Sequence, residues 1–241
     1  MNKLPQFILV HGSWHAGWCF DKIVPLLAEA GHRAIAPDLP GHGRDQTPLR
    51  DVTLQKYVEA IGALVDADDE PVILVGHSRG GIVISQVAEF RPDKIIRLVY
   101  LTAFLIPNGE SMIQAAKSDA ESLILKNLEW NEAGGWHMLN KEAARDALYH
   151  DCSKQDAVWA TELLQPEPNT PIVTPLSLPN ANFGRVPRAY IECLYDHGVT
   201  PSLQLKMRTA LPCHPVIAMK CGHSPFLSKP DELVANLLSL A

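Results

Sequence analysis

The chain has 241 residues, 46% of them hydrophobic and 20% charged, with a formal net charge of −6 at neutral pH. These values suit a soluble globular protein of one domain, or one domain carrying an insertion, and provide no basic footprint for nucleic acid. The longest apolar candidate, Ile95 to Pro107, contains Arg97 and ends at a proline, so no membrane span is expected; Phe7–Val10 lacks a cleavage-like site behind it and is not read as a signal peptide.

In chain order the pattern predicts a strand over Phe7–Val10, a helix over Phe20–Ala30 closed by Gly31, a strand over Arg33–Pro37 and a helix over Thr53–Asp68. A strand over Val72–Val75, a helix over Gly80–Phe90 stopped before Pro92, and a strand over Ile95–Leu101 follow. The last third reads strand Arg188–Cys193, helix Pro201–Ala210, strand Val216–Met219 and helix Pro230–Leu240. The strands are continuous apolar or β-branched runs, as expected when both faces of a parallel sheet are covered. Pro201 and Pro230 stand where proline suits a first helical turn. The alternation predicts an α/β fold with a mostly parallel sheet.

One stretch breaks that alternation. The predicted core is 1–103 and 187–241, and 104–186 reads as a helical cap inserted over the sheet edge. No strand is predicted within it, only helical patterns such as Ser111–Leu128, Lys141–Tyr149 and Lys154–Leu164, then a proline-rich return. It carries eleven acidic against six basic side chains, so most of the net charge belongs to it. A solvated outer helix face is the expected reason, with steering of a cationic substrate the less favoured one. The five scattered cysteines contain no C-x-x-C pair and read as reduced thiols of a cytoplasmic protein.

The chemistry concentrates where Val72-Ile73-Leu74-Val75 runs into Gly76-His77-Ser78-Arg79-Gly80-Gly81 and then an apolar helix. Strand, Gly-x-Ser-x-Gly and helix in that order form a nucleophile elbow, which lifts the Ser78 hydroxyl above the sheet edge at the positive end of the helix. A serine needs a base, and the base needs an orienting acid. Asp196 after the strand Arg188–Cys193, and His223 after Val216–Met219, fill those slots in the order serine, acid, histidine. Glu192 falls inside a strand and Asp38 in a turn, so both are weaker candidates for the acid. For an oxyanion, the backbone N–H of Arg79 and one from the loop after the first strand are expected. Ser13 is the first choice in that loop and Trp14 the alternative.

The Arg79 side chain is expected to turn outward along the helix, with pairing to a lid carboxylate or to an anionic substrate group as the other readings. Gly12, Trp14, Trp130, Trp136 and Trp159 are candidate pocket residues. Neither metal nor cofactor is called for, since a serine triad needs none.

The run Phe7-Ile-Leu-Val-His-Gly-Ser-Trp-His-Ala-Gly-Trp-Cys-Phe20 resembles the α/β-hydrolase branch that contains plant methyl-ester esterases, hydroxynitrile lyases and bacterial esterase relatives. Gly76–Gly81, Leu148–Ser153 and Ala189–Gly198 agree with it. The resemblance implies an α/β-hydrolase fold with Ser78 as nucleophile, Asp196 as acid, His223 as base, and the Ser13 and Arg79 amides as oxyanion donors. It also implies a homodimer. Lyases of the branch place threonine where this chain has Gly12 and lysine where it has Ser224. The expected activity is therefore hydrolysis of small or aromatic carboxylic esters, methyl esters among them. The alternatives are a lyase or C–C hydrolase using the same triad, and a slow-turnover receptor for a small ligand.

Overall fold

A computed structural model describes residues 4–67, 69–179 and 182–241. The apolar runs of the first half become strands β1 (Phe7–Val10), β2 (Ala34–Ile35), β3 (Val72–His77) and β4 (Ile95–Leu101). Between them lie helices α1 (Ile23–Glu29), α2 (Leu54–Asp66) and α3 (Gly80–Phe90). After β4 the chain leaves the sheet through α4 (Met112–Lys117), β5 (Leu128–Asn131), β6 (Trp136–Leu139), α5 (Lys141–Leu148), α6 (Lys154–Leu163), β7 (Glu167–Pro168) and α7 (Asn169–Val173). It returns through β8 (Arg188–Cys193), α8 (Pro201–Ala210), β9 (Val216–Met219), α9 (Pro225–Ser228) and α10 (Pro230–Leu238).

Six strands form one parallel sheet in the order β2-β1-β3-β4-β8-β9. Alternate side chains divide between two cores. Ile8, Val10, Leu74, Leu98 and Tyr100 pack under α2, α3 and α8, whereas Phe7, Leu9, Ile73, Val75 and Val99 pack under α1, α10 and the α5–α6 pair. This two-sided burial is why the strands read as unbroken apolar runs. Burying a strand side chain of this size contributes roughly 1.5–3 kcal/mol, so the doubly covered centre of the sheet is its rigid part. β3, buried along its whole length, lies at that centre.

Local signals set the helix ends. The Thr53 side chain accepts from Lys56 N at 3.2 Å and opens α2, and Thr200 accepts from Leu203 N ahead of Pro201 in α8. Asp68, where the sequence pattern ended the second helix, lies outside the described residues. The helix expected over Phe20–Ala30 begins later, after a separate 3-10 turn over Gly17–Phe20.

The excursion between β4 and β8 departs most from expectation. The helix expected over Ser111–Leu128 stops at Lys117, because the following polar residues bond across to the loop after β8 instead of continuing the turn. Asp119 takes both the N–H and the hydroxyl of Thr200, the Ser122 hydroxyl donates to Gly198 O, and Leu123 N donates to His197 O. Three strands also occur where none was expected, as an antiparallel sheet in the order β5-β6-β7. The hairpin turns through Gly134 and Gly135, the latter at φ +69° and the former capped by the Asn131 side chain at 2.8 Å. None of the described helices is long and apolar enough to cross a membrane.

Candidate active site

The turn from β3 into α3 holds Ser78 at φ +51°, a strained angle for a residue with a side chain. Two other non-glycine residues share the left-handed region, Trp14 at φ +62° and Thr102 at φ +38°. They follow β1 and β4, the strands on either side of β3, so local strain collects at one edge of the sheet. The elbow can close only because its glycines lack side chains. A Cβ on Gly76 would stand 2.7 Å from the Gly80 backbone, and one on Gly80 would stand 2.5 Å from Val10 O.

Asp196 and His223 meet as the sequence order predicts, with His223 Nδ1 at 2.7 Å from Asp196 Oδ2. Both residues are almost fully buried. The carboxylate is held by three further donors: the Thr102 hydroxyl on Oδ2, and Gly198 N and Val199 N on Oδ1 at 2.6 and 3.0 Å. With a carboxylate against Nδ1, the ring carries its proton there and presents Nε2 as the acceptor. His77, next to the serine, donates from Nε2 to the His223 carbonyl at 2.9 Å, tying the elbow to the histidine loop. Burial, then the nearby His223, holds the His77 pKa well below its usual value, so its ring is neutral. The rival carboxylates are engaged elsewhere: Glu192 pairs with Arg208 at 3.0 Å, and Asp38 accepts from the backbone of Gly17 and Arg44.

Arg79 does not turn outward. Its side chain is fully buried and runs toward Glu167 of β7, with Nε 2.8 Å from Oε1 in an ion pair lying off the hydrogen-bond axis. Nη2 donates to Gly12 O at 3.0 Å, and the guanidinium lies over the Tyr57 ring at 4.6 Å. The other oxygen of Glu167 accepts from Trp14 N and from His42 Nε2, each at 3.0 Å. Burial alone pushes the Glu167 pKa up, but the charge of Arg79 and then His42 outweigh it and bring it down to about 2. Glu167 is thus one acidic residue of the excursion that does not face solvent, and Asp119 is another. Trp14 N, already committed to Glu167, is not free to serve as an oxyanion donor.

Ser78 and His223 open into a cleft of about 540 Å³, its mouth included, roofed by the excursion. Apolar side chains such as Met112, Ile124, Leu128 and Ile172 dominate the lining. Ser13 and Trp14 line it as well, and the Ser13 hydroxyl is buried without a partner among the described residues. The remaining tryptophan candidates do not: Trp130 and Trp159 are among the exposed large side chains, Trp159 packing edge-on against Trp18, and Trp136 faces the Gly134 turn. Gly12 lies behind the cleft wall, where an added Cβ would meet His77 and Ser78 at 2.9 Å. His137, unforeseen from the sequence, does line the cleft; its Nδ1 bonds Asn169 Oδ1 at 2.8 Å, and burial lowers its pKa. The alternation in β6 that buries His137 and Leu139 was present in the sequence, but the buried partner is a polar residue.

The alpha/beta hydrolase family model matches residues 7–236. The chain belongs to that family. It is 34% identical to putative methylesterase 11, chloroplastic, of Arabidopsis thaliana over 98% of its own length, and spans 64% of that longer relative. Methylesterase 2 of the same plant is 32% identical, with 100% of this chain and 97% of the relative covered. The crystal structure of a pyrethroid hydrolase from Sphingobium faniae JZ-2 superposes with a TM-score of 0.86 at 28% identity, covering 98% of this chain and 96% of that one.

Proposed function

We propose that this member of the family is a serine-dependent carboxylic-ester hydrolase, with 104–186 serving as its cap. Ser78 attacks the ester carbonyl while His223 takes its proton, and the amides of Ser13 and Arg79 hold the tetrahedral oxyanion. His223 then protonates the leaving alcohol and activates the water that releases the acid, with Asp196 stabilising the imidazolium. The observation that carries this reading is the convergence of a strained Ser78 and the 2.7 Å His223–Asp196 pair on one apolar cleft. The similarity to methylesterases and a pyrethroid hydrolase supports ester substrates. The small cleft, lined mostly by apolar side chains, favours compact or aromatic esters, methyl esters among them.

Cyanohydrin cleavage is less well supported. A threonine in place of Gly12 would force its Cβ against Ser78 and His77, and Ser224 offers no charge beside His223. Five free cysteines support a reducing compartment such as the cytoplasm, and the family likeness supports a homodimer. The deciding experiment is hydrolysis of p-nitrophenyl acetate and butyrate, with intact-mass detection of a fluorophosphonate adduct, beside Ser78→Ala. A single adduct and a loss of roughly 10³-fold or more in the variant are expected. An unlabelled Ser78 would overturn the reading.

A further inference from the structure

We infer that the buried Arg79–Glu167 pair is a positioning device that aims and polarises the peptide whose N–H receives the oxyanion. This rests on the esterase reading above and concerns how its site is held. The Gly12–Ser13 peptide contributes both Gly12 O and Ser13 N. In a trans peptide those two groups point in opposite directions across one rigid plane. Among the described residues the one cis bond is His214–Pro215, so Gly12–Ser13 is trans.

Gly12 O accepts from Arg79 Nη2 at 3.0 Å and from His11 Nδ1 at 2.9 Å, and the two donors direct Ser13 N to the opposite side of that plane, Arg79 alone bringing a fixed charge. The next amide, Trp14 N, is held by Glu167 Oε2 at 3.0 Å. One ion pair, Nε to Oε1 at 2.8 Å, therefore reaches the loop on both sides of Ser13, with His11 sharing the Gly12 side. Position is tightly specified, since Gly12 has no room for even a Cβ against Ser78. Polarisation follows from chemistry. A cation donating to a peptide carbonyl draws charge from the amide and strengthens its N–H as a donor, most of all where both partners are dry. Arg79 and Glu167 are each 0% exposed.

The two halves of the pair come from different parts of the chain, Arg79 from the elbow and Glu167 from β7 in the excursion. A carboxylate at 167 makes burial of Arg79 tolerable, and its other oxygen sets the loop. The side chain after the nucleophile thus acts through the loop, while its own N–H remains an oxyanion donor in the proposed mechanism.

The test is steady-state kinetics on p-nitrophenyl acetate with Arg79→Met, Arg79→Lys, Glu167→Gln and the double variant R79M/E167M, each with its melting temperature. Affinities for a trifluoromethyl ketone, which forms an oxyanion on Ser78, and for the matching methyl ketone are measured alongside. The expected result for R79M is a fall in kcat of roughly 10- to 100-fold with KM within about threefold, since only the transition state uses the aimed N–H. Trifluoromethyl ketone affinity should fall in step with kcat while methyl ketone affinity holds, and R79K should recover part of both.

If R79M does not fold, the double variant, which removes both members of the Arg79–Glu167 pair together, carries the same expectation. Wild-type kcat in a folded R79M or double variant would overturn the inference. So would a loss shared equally by both ketones, because that marks general disorder of the site. Ser78→Ala run in parallel separates the two failures. If it retains activity, the esterase reading itself has failed.

Discussion

At the residue scale, Asp196 is a carboxylate surrounded by donors: Thr102 Oγ1, Gly198 N, Val199 N and His223 Nδ1. An amide of the same shape must turn its own NH₂ toward one of them. Asp196→Asn should therefore favour the wrong tautomer of His223 and lower kcat by about 10³- to 10⁴-fold while the protein stays folded. Steady-state kinetics beside a melting curve checks this, and a loss below about tenfold would remove Asp196 from the acid role. The placement of Ser78, Asp196 and His223 was legible because each residue follows its own strand, a pattern local in sequence. The direction of Arg79 was not legible. It depends on Glu167, which local sequence presents as one more surface acid in a charged stretch, and only the tertiary fold brings the two together.

At the scale of elements, the elbow depends on the close approach of α3 to β1. An alanine Cβ at Gly80 would lie 2.5 Å from Val10 O, a main-chain atom at the end of β1 that cannot rotate away. Gly80→Ala should destabilise the fold by about 2–3 kcal/mol and lower esterase activity with it. At Gly184 a Cβ would meet nothing within 4 Å, so Gly184→Ala should stay within about 0.5 kcal/mol of the parent. Urea unfolding of the two variants tests the contrast, and equal midpoints would contradict it. The inner strands β1, β3, β4 and β8 were readable because parallel strands covered on both faces leave nearly continuous apolar runs, whereas the edge strands β2 and β9 are only partly buried. The β5–β6 hairpin was not, since its strands are short, half-exposed and interrupted by Glu129 and His137. Gly134-Gly135 is its one clear mark in the sequence, between helical patterns on either side.

At the scale of the whole molecule, the site is built around histidines kept neutral by burial, which couples stability to pH. His11, His15, His77 and His137 all have pKa values lowered first of all by burial, that of His15 to about 3. His15 donates from Nδ1 to Ser13 O at 2.7 Å and accepts from the Tyr149 hydroxyl on Nε2, an arrangement that a second ring proton would break. In the unfolded chain each ring titrates near 6.5. Above that pH neither state holds the proton and the rings contribute no pH dependence. As pH falls below about 6.5 the unfolded state binds protons the folded state refuses, so stability is lost on the acid side. For His15 alone the loss at pH 5 is about 2 kcal/mol. Glu167, depressed to about 2, acts in a lower window: its contribution is intact above about 4.5 and disappears between there and about 2. Urea titrations at pH 7, 6 and 5.5 should therefore show stability falling with a slope equivalent to about two or more protons taken up on unfolding, before any carboxylate titrates. A flat response over that range would mean the rings accept protons in place. The neutral hydrogen bonds that tie His77 to the His223 loop and His15 to Ser13 would then not be what holds the elbow.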